Sequence, residues 1–117
     1  MNLNHLDLQV SDVQQSVVFF ERFGLELQTS RTSPALAILG DQQGFVLVLQ
    51  RCKTGTPSYP EGFHLGFLVG DVETVLRFHE RAREDGLAVS DVDRNSRGTM
   101  VYCRSPDGYA VEVSCRR

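Results

Sequence analysis

The stretch His5-Leu6-Asp7-Leu8-Gln9-Val10-Ser11-Asp12-Val13 returns, altered but ungapped, as His64-Leu65-Gly66-Phe67-Leu68-Val69-Gly70-Asp71-Val72. The offset that separates His5 from His64 also separates Phe19 from Phe78 and Glu21 from Glu80. Leu6, Leu8 and Val10 alternate with His5, Asp7 and Gln9, which is the pattern of a half-buried strand. Ser11-Asp12 then offers a helix cap, with Gln15 as a capping-box partner. Each copy therefore reads as strand, Asp-Val turn and amphipathic helix, and a repeat of this kind governs the whole fold. It also places one histidine at the same point of two equivalent strands, and two imidazoles so related are half of a metal site.

Working outward from the first copy, Val13, Ser16, Val17, Phe20 and Phe23 recur at helical spacing, and Gly24 ends the helix. Strands are expected at Leu25–Thr29, Ala35–Leu39 and Phe45–Gln50, separated by Ser33-Pro34 and by the Gly40–Gly44 turn. From the second copy, a helix is expected over Val72–Asp85 with Val72, Val75, Leu76 and His79 along one stripe. Strands at Leu87–Val92, Thr99–Arg104 and Tyr109–Cys115 follow, with Pro106-Asp107-Gly108 as the last turn. The expectation is one α+β domain over residues 1–117 built from two βαβββ repeats (1–51 and 63–117) joined by a linker at 52–62. Its eight strands would form an open, cup-shaped sheet with the helices outside. Helices cover one face of such a sheet, and the polar residues of the first strand suit a cleft on the other.

Composition excludes several classes. The 117 residues carry a formal charge of −3 and 41% hydrophobic residues, ordinary for a globular domain and without the basic footprint of a nucleic-acid binder. The terminal Arg116-Arg117 pair reads as solvated. No apolar run is long enough to span a bilayer and the first residues lack a signal-peptide pattern, so no membrane partner and a cytoplasmic location are expected. Cys52, Cys103 and Cys115 are odd in number and show no CxxC spacing, which argues against disulfides and a cysteine-zinc site.

Glu112 stands between Val111 and Val113 in the last strand, sharing its face with Ala110 and Ser114. An unpaired carboxylate in such a place is costly and calls for a partner. With His5 and His64 it would complete a two-histidine, one-carboxylate ligand set with open positions, suited to Fe, Mn, Ni or Zn. Each residue also has a purely structural explanation: a hydrogen-bonded histidine, or Glu112 paired with Arg94 or Arg104 on neighbouring strands. Asp7 is equally readable as a general base, an extra ligand or a hydrogen-bonded pocket residue. Tyr102 could donate to a bound oxygen or serve as a strand aromatic. His79 reads as a surface or packing residue.

The two βαβββ repeats, histidines on the first and fifth strands, and Pro106-Asp107-Gly108 leading to Glu112 resemble the vicinal oxygen chelate superfamily. That superfamily holds glyoxalase I, methylmalonyl-CoA epimerase, extradiol dioxygenases, fosfomycin-resistance transferases and bleomycin-resistance proteins. The resemblance spans essentially the whole chain and implies a homodimer, one divalent metal per site held by His5, His64 and Glu112, and a small-molecule substrate with neighbouring oxygens. Catalytic roles would fall to Asp7 and Glu112, and Tyr102, Val48 and Leu68 would line the substrate cleft. Aligning Gly108 with Gly44 sets Glu112 against Val48, where glyoxalase I has a carboxylate. Ser96, Gly98 and Tyr102 line up with the fosfomycin transferases, whereas Asp7, Val92 and Arg97 depart from them. The resemblance equally admits a metal-free binder that sequesters a hydrophobic or aromatic molecule, as bleomycin-resistance-like proteins do; Val48, Leu68 and Ala110 suit that role.

Overall fold

The computed structural model describes residues 1–28 and 32–117. The chain divides into two compact units, Met1–Ser58 and Tyr59–Arg117. Each is a four-stranded sheet with one helix on one face, in the order βαβββ, so the chain is α+β as expected.

In the first unit β1 (His5–Val10) leads into α1 (Val13–Glu21), β2 (Glu26–Leu27), β3 (Leu36–Gly40) and β4 (Val46–Arg51). The Asp12 carboxylate accepts the Gln15 N–H at 3.0 Å and caps α1. The helix stops at Glu21, short of the expected Phe23, because the last turn tightens: Arg22, Phe23 and Gly24 donate to the carbonyls of Phe19, Phe20 and Glu21. Sheet order is β1-β4-β3-β2, with β1 parallel to β4 and the other neighbours antiparallel. Leu8, Val10, Ala37, Leu39, Leu47 and Leu49 are buried with Val13, Val17, Phe19 and Phe20 of α1. Burying a side chain such as Phe20 or Leu49 contributes about 1.5–3 kcal/mol. The alternate residues His5, Asp7 and Gln9 are exposed. The expected strand at Leu25–Thr29 is only two residues long in its described part, and Thr29 lies outside the described residues.

In the second unit β5 (His64–Leu68) precedes α2 (Val72–Glu84), β6 (Asp93–Asn95), β7 (Gly98–Arg104) and β8 (Ala110–Arg116), in sheet order β5-β8-β7-β6. Asp71 caps α2 by accepting from the Thr74 N–H and hydroxyl, both at 2.7 Å. The helix buries Val75, Phe78 and Ala82, while Val72 is exposed; the apolar stripe is thus rotated from the one expected. Phe19 and Phe78, matched by the repeat, are both buried.

The expected strand at Leu87–Val92 is displaced to Asp93–Asn95. Val89 makes an isolated bridge with Cys103, and the Ser90 hydroxyl takes the Tyr102 N–H at 2.9 Å. Main-chain bonds from Ser90 N to Tyr102 O (2.8 Å) and from Arg104 N to Ala88 O (2.9 Å) flank that bridge, so pairing of the expected segment with β7 is confined to residues 88–90. Tyr59 stacks on Phe63 at 4.8 Å and meets Tyr109 edge-on at 4.9 Å, which ties the segment before β5 to this unit. No disulfide joins Cys52, Cys103 or Cys115 among the described residues, and Cys103 and Cys115 are buried as small apolar residues.

The closing hairpins of the two units match. Asp41 N donates to Phe45 O at 3.0 Å and Ser105 N to Tyr109 O at 2.8 Å. Gly44 has φ +95 and Gly108 φ +94, a conformation that L side chains rarely adopt. The ladders then run in the same register: His5 faces Val46 and Asp7 faces Val48, while His64 faces Ala110 and Gly66 faces Glu112. The equivalence of Val48 with Glu112 is therefore a feature of the backbone.

Candidate functional site

The face of each sheet away from its helix carries the polar groups. In the first unit His5 and Asp7 share that face of β1 and are exposed, and Val48 is half-buried beside Asp7 on β4. His5 Nδ1 lies 2.8 Å from Asn4 Oδ1. As the amide oxygen only accepts, Nδ1 carries the proton and Nε2 keeps its lone pair. Asp7 accepts from Gln50 Nε2 at 2.9 Å, a neighbour that follows from β4 register and carries no signal of its own in the sequence.

In the second unit His64, Tyr102 and Glu112 lie on one face of neighbouring strands. His64 Nδ1 lies 2.9 Å from the Gly62 carbonyl oxygen, which fixes the same tautomer as in His5. Both histidines thus have Nδ1 committed to a local acceptor and Nε2 available. The His64 and Tyr102 rings are 6.3 Å apart at 78°. Glu112 is half-buried and lies directly opposite Tyr102 in the antiparallel ladder. A Cβ at Gly66 would lie 3.5 Å from Glu112 Oε2, so the carboxylate leans over the space this glycine leaves on β5.

The Tyr102 hydroxyl donates to Met100 Sδ at 3.6 Å and faces Glu112 across the β7–β8 ladder. Interaction with the Glu112 carboxylate, then burial, holds the phenol above its usual range, with the Arg97 guanidinium pulling the other way. Across the ladder Glu112 thus faces a phenol. Arg104 instead donates to the Gly108 carbonyl oxygen at 2.6 Å, and Arg94 pairs across the ladder with Thr99.

Two cavities open on this face. One of about 490 Å³ is lined by His64 and Tyr102 with Tyr59, Phe63, Arg104 and Tyr109. The other, about 500 Å³, is lined by Glu112, Gly66, Leu68, Met100, Arg97 and Arg116, among others. Leu68 is 60% exposed at its edge. Ala110 faces His64 across the β5–β8 ladder. His79 lies apart on α2, half-buried, its Nε2 without a hydrogen-bond partner among the described residues.

Each unit thus supplies one histidine and one carboxylate on its open face: His5 with Asp7, and His64 with Glu112. Among the described residues no group of three or more histidine, cysteine, aspartate or glutamate side chains is gathered as a metal cluster. The donor chemistry does suit a divalent metal, since both imidazoles have the tautomer that offers Nε2 and Glu112 presents a carboxylate on the same face as His64. The sequence presents Arg116-Arg117 as a solvated pair and Arg97 only as a departure from the fosfomycin transferases. That Arg97 and Arg116 line one cavity comes from the fold, because nothing in a lone Arg-Gly or a terminal Arg-Arg marks a cavity wall.

Known proteins place the chain in a family. The curated glutathione transferase FosA of Serratia marcescens is 29% identical over 113 residues, 96% of this chain and 79% of that protein. A possible glyoxalase from Bacillus cereus superposes with a TM-score of 0.87 at 34% identity, covering 98% of this chain and 99% of that one. A lactoylglutathione lyase from Agrobacterium tumefaciens shares the fold, with a TM-score of 0.78 at 20% identity over 97% of this chain and 92% of that one. The model of the glyoxalase/bleomycin resistance protein/dioxygenase superfamily matches residues 2–113, and the chain is a member of that superfamily.

Proposed function

We propose that the protein is a metal-dependent enzyme of the glyoxalase type, acting on a small molecule that presents neighbouring oxygens. His5, His64 and Glu112 would hold one divalent ion, Zn, Ni, Mn or Fe. The observation that carries this reading is the shared tautomer: both repeat-related histidines commit Nδ1 to a local oxygen and keep Nε2 free. The superfamily membership and the likeness to a glutathione transferase and a lactoylglutathione lyase support it.

When bound, the ion would polarise substrate oxygens and stabilise developing negative charge. The chain's own residues do the rest. Asp7, with one carboxylate oxygen engaged by Gln50, is exposed and positioned to accept a proton from substrate. The Tyr102 phenol keeps its proton and stands opposite Glu112, while its ring packs edge-on beside His64. Val48 and Leu68 supply apolar walls. A homodimer in the cytoplasm is part of the same proposal.

The test is a metal titration of chelator-treated protein followed by elemental analysis. The native chain is expected to take up about one ion per chain, with uptake lost in His5→Ala and sharply weakened in Glu112→Gln. Retained stoichiometry and affinity in both variants would remove these residues from the metal site.

A second reading draws on the cavity lined by Tyr59, Phe63, Tyr102 and Tyr109, a wall suited to stacking on an aromatic ligand. In that case the protein sequesters an aromatic molecule without turning it over, and stoichiometric binding by metal-free protein would distinguish it.

A further inference from the structure

The cavity beside Glu112 has a charge balance unlike that of the chain. Two guanidinium groups, Arg97 and Arg116, stand in its lining against the single carboxylate of Glu112, in a protein of formal charge −3. Neither arginine has an ion-pair partner among the described residues. Cations lining a concave wall concentrate anions there, and a guanidinium fork matches both oxygens of a carboxylate or phosphate.

Arg97 is also held in place. Its N–H donates to Asn95 Oδ1 at 2.9 Å, and its carbonyl accepts from Arg117 N at 3.2 Å. The next residue, Gly98, pairs with Arg116 at the end of the β7–β8 ladder, and its Cα packs so closely on the Cys115 carbonyl that no side chain fits. That close approach is what sets Arg97 beside Arg116. The Arg97 guanidinium lies 4.0 Å from Met100 Sδ, the atom to which the Tyr102 hydroxyl donates at 3.6 Å, and Tyr102 faces Glu112 across the ladder. A group held by Arg97 is thus one side chain removed from Glu112.

We infer that Arg97 and Arg116 form an oxyanion subsite that selects substrates bearing a carboxylate or phosphate close to their reacting oxygens. This rests on the reading of the open face of the second unit as the substrate site. It narrows the substrate class to small acids and makes Arg97 the specificity-determining residue.

The test uses the full chain, stripped of metal, titrated with succinate and with inorganic phosphate while amide resonances are followed by NMR. Chemical-shift changes are expected to centre on Arg97, Gly98, Tyr102 and Arg116. Arg97→Gln should weaken binding by about tenfold or more, the loss of a charge-assisted hydrogen bond. Arg97→Lys should fall between the two, since it keeps the charge and loses the fork. Tighter succinate binding assigns the subsite to carboxylates, and tighter phosphate binding to phosphate esters. Equal affinity in native protein and Arg97→Gln, or shifts spread over the remote arginines of α2, would overturn the inference. Metal uptake by Arg97→Gln should match the native protein. Loss of anion binding with metal uptake intact would count for this subsite alone, and absent metal uptake with anion binding intact would count only against the metal reading.

Discussion

Gly98→Ala tests the packing that places Arg97. Gly98 has φ +146, and an added Cβ would overlap the Cys115 carbonyl oxygen and approach Arg116 Cα to 3.0 Å. Gly108 is the natural control: its φ is +94, yet nothing lies within 4 Å of an added Cβ. Alanine at Gly108 should therefore incur only the conformational cost, about 1–2 kcal/mol. At Gly98 the overlap is with backbone held in a strand ladder, which cannot rotate away, and adds about 1–3 kcal/mol. With unfolding entropy scaling with chain length, each kcal/mol lowers the melting temperature by about 4 °C in a domain of this size. Thermal melts followed by far-UV circular dichroism should show Gly98→Ala losing roughly 8–20 °C and Gly108→Ala roughly 4–8 °C. Melting of the two variants within about 2 °C of each other would refute the claim that close approach to β8, rather than backbone conformation alone, requires glycine at this position.

Two further outcomes concern pH and capping. Burial of Tyr109, only 4% exposed, pushes its phenol far above the usual range. The folded value is raised, so its contribution to stability is complete below the unfolded phenol's pKa of about 10 and is lost as pH rises beyond it. Urea midpoints measured between about pH 8 and 11 should decline, and Tyr109→Phe should flatten that decline; an unchanged slope in the variant counts against the assignment. The Thr74 hydroxyl and N–H hold the Asp71 carboxyl below its usual range, so its contribution is present above the unfolded carboxyl's pKa and fades as pH falls through the lowered folded value. Asp71→Ala should reduce the urea midpoint at neutral pH while Asp71→Asn, which still caps, retains most of it; equal midpoints for the two variants would deny the cap its role.

The repeat around His5 and His64 was enough to read both βαβββ units, because strand alternation, an Asp cap and an apolar helix stripe are local signals that recur at one offset. Turn chemistry was equally legible: Asp41–Gly44 and Ser105–Gly108 adopt matching conformations, and this confirms the pairing of Val48 with Glu112. Helix facing was read less well. Val72 looks like a stripe residue by spacing, but contact with the sheet buries Val75, Phe78 and Ala82 instead. Of the strand expected at Leu87–Val92 only residues 88–90 pair with β7, and the regular ladder runs at Asp93–Asn95, a placement set by register, with Val89 opposite Cys103 and Asn95 opposite Gly98.

The repeat, the α+β class and the proposed ligands His5, His64 and Glu112 are legible in residue type and period along the chain. Which groups become neighbours came from the folded chain: Tyr102 rather than an arginine opposite Glu112, Gln50 on Asp7, and Arg97 beside Arg116. The reason is register. A strand pattern says which face a residue takes, but the residue opposite it comes from a distant segment, and one position of slip would exchange every such partner.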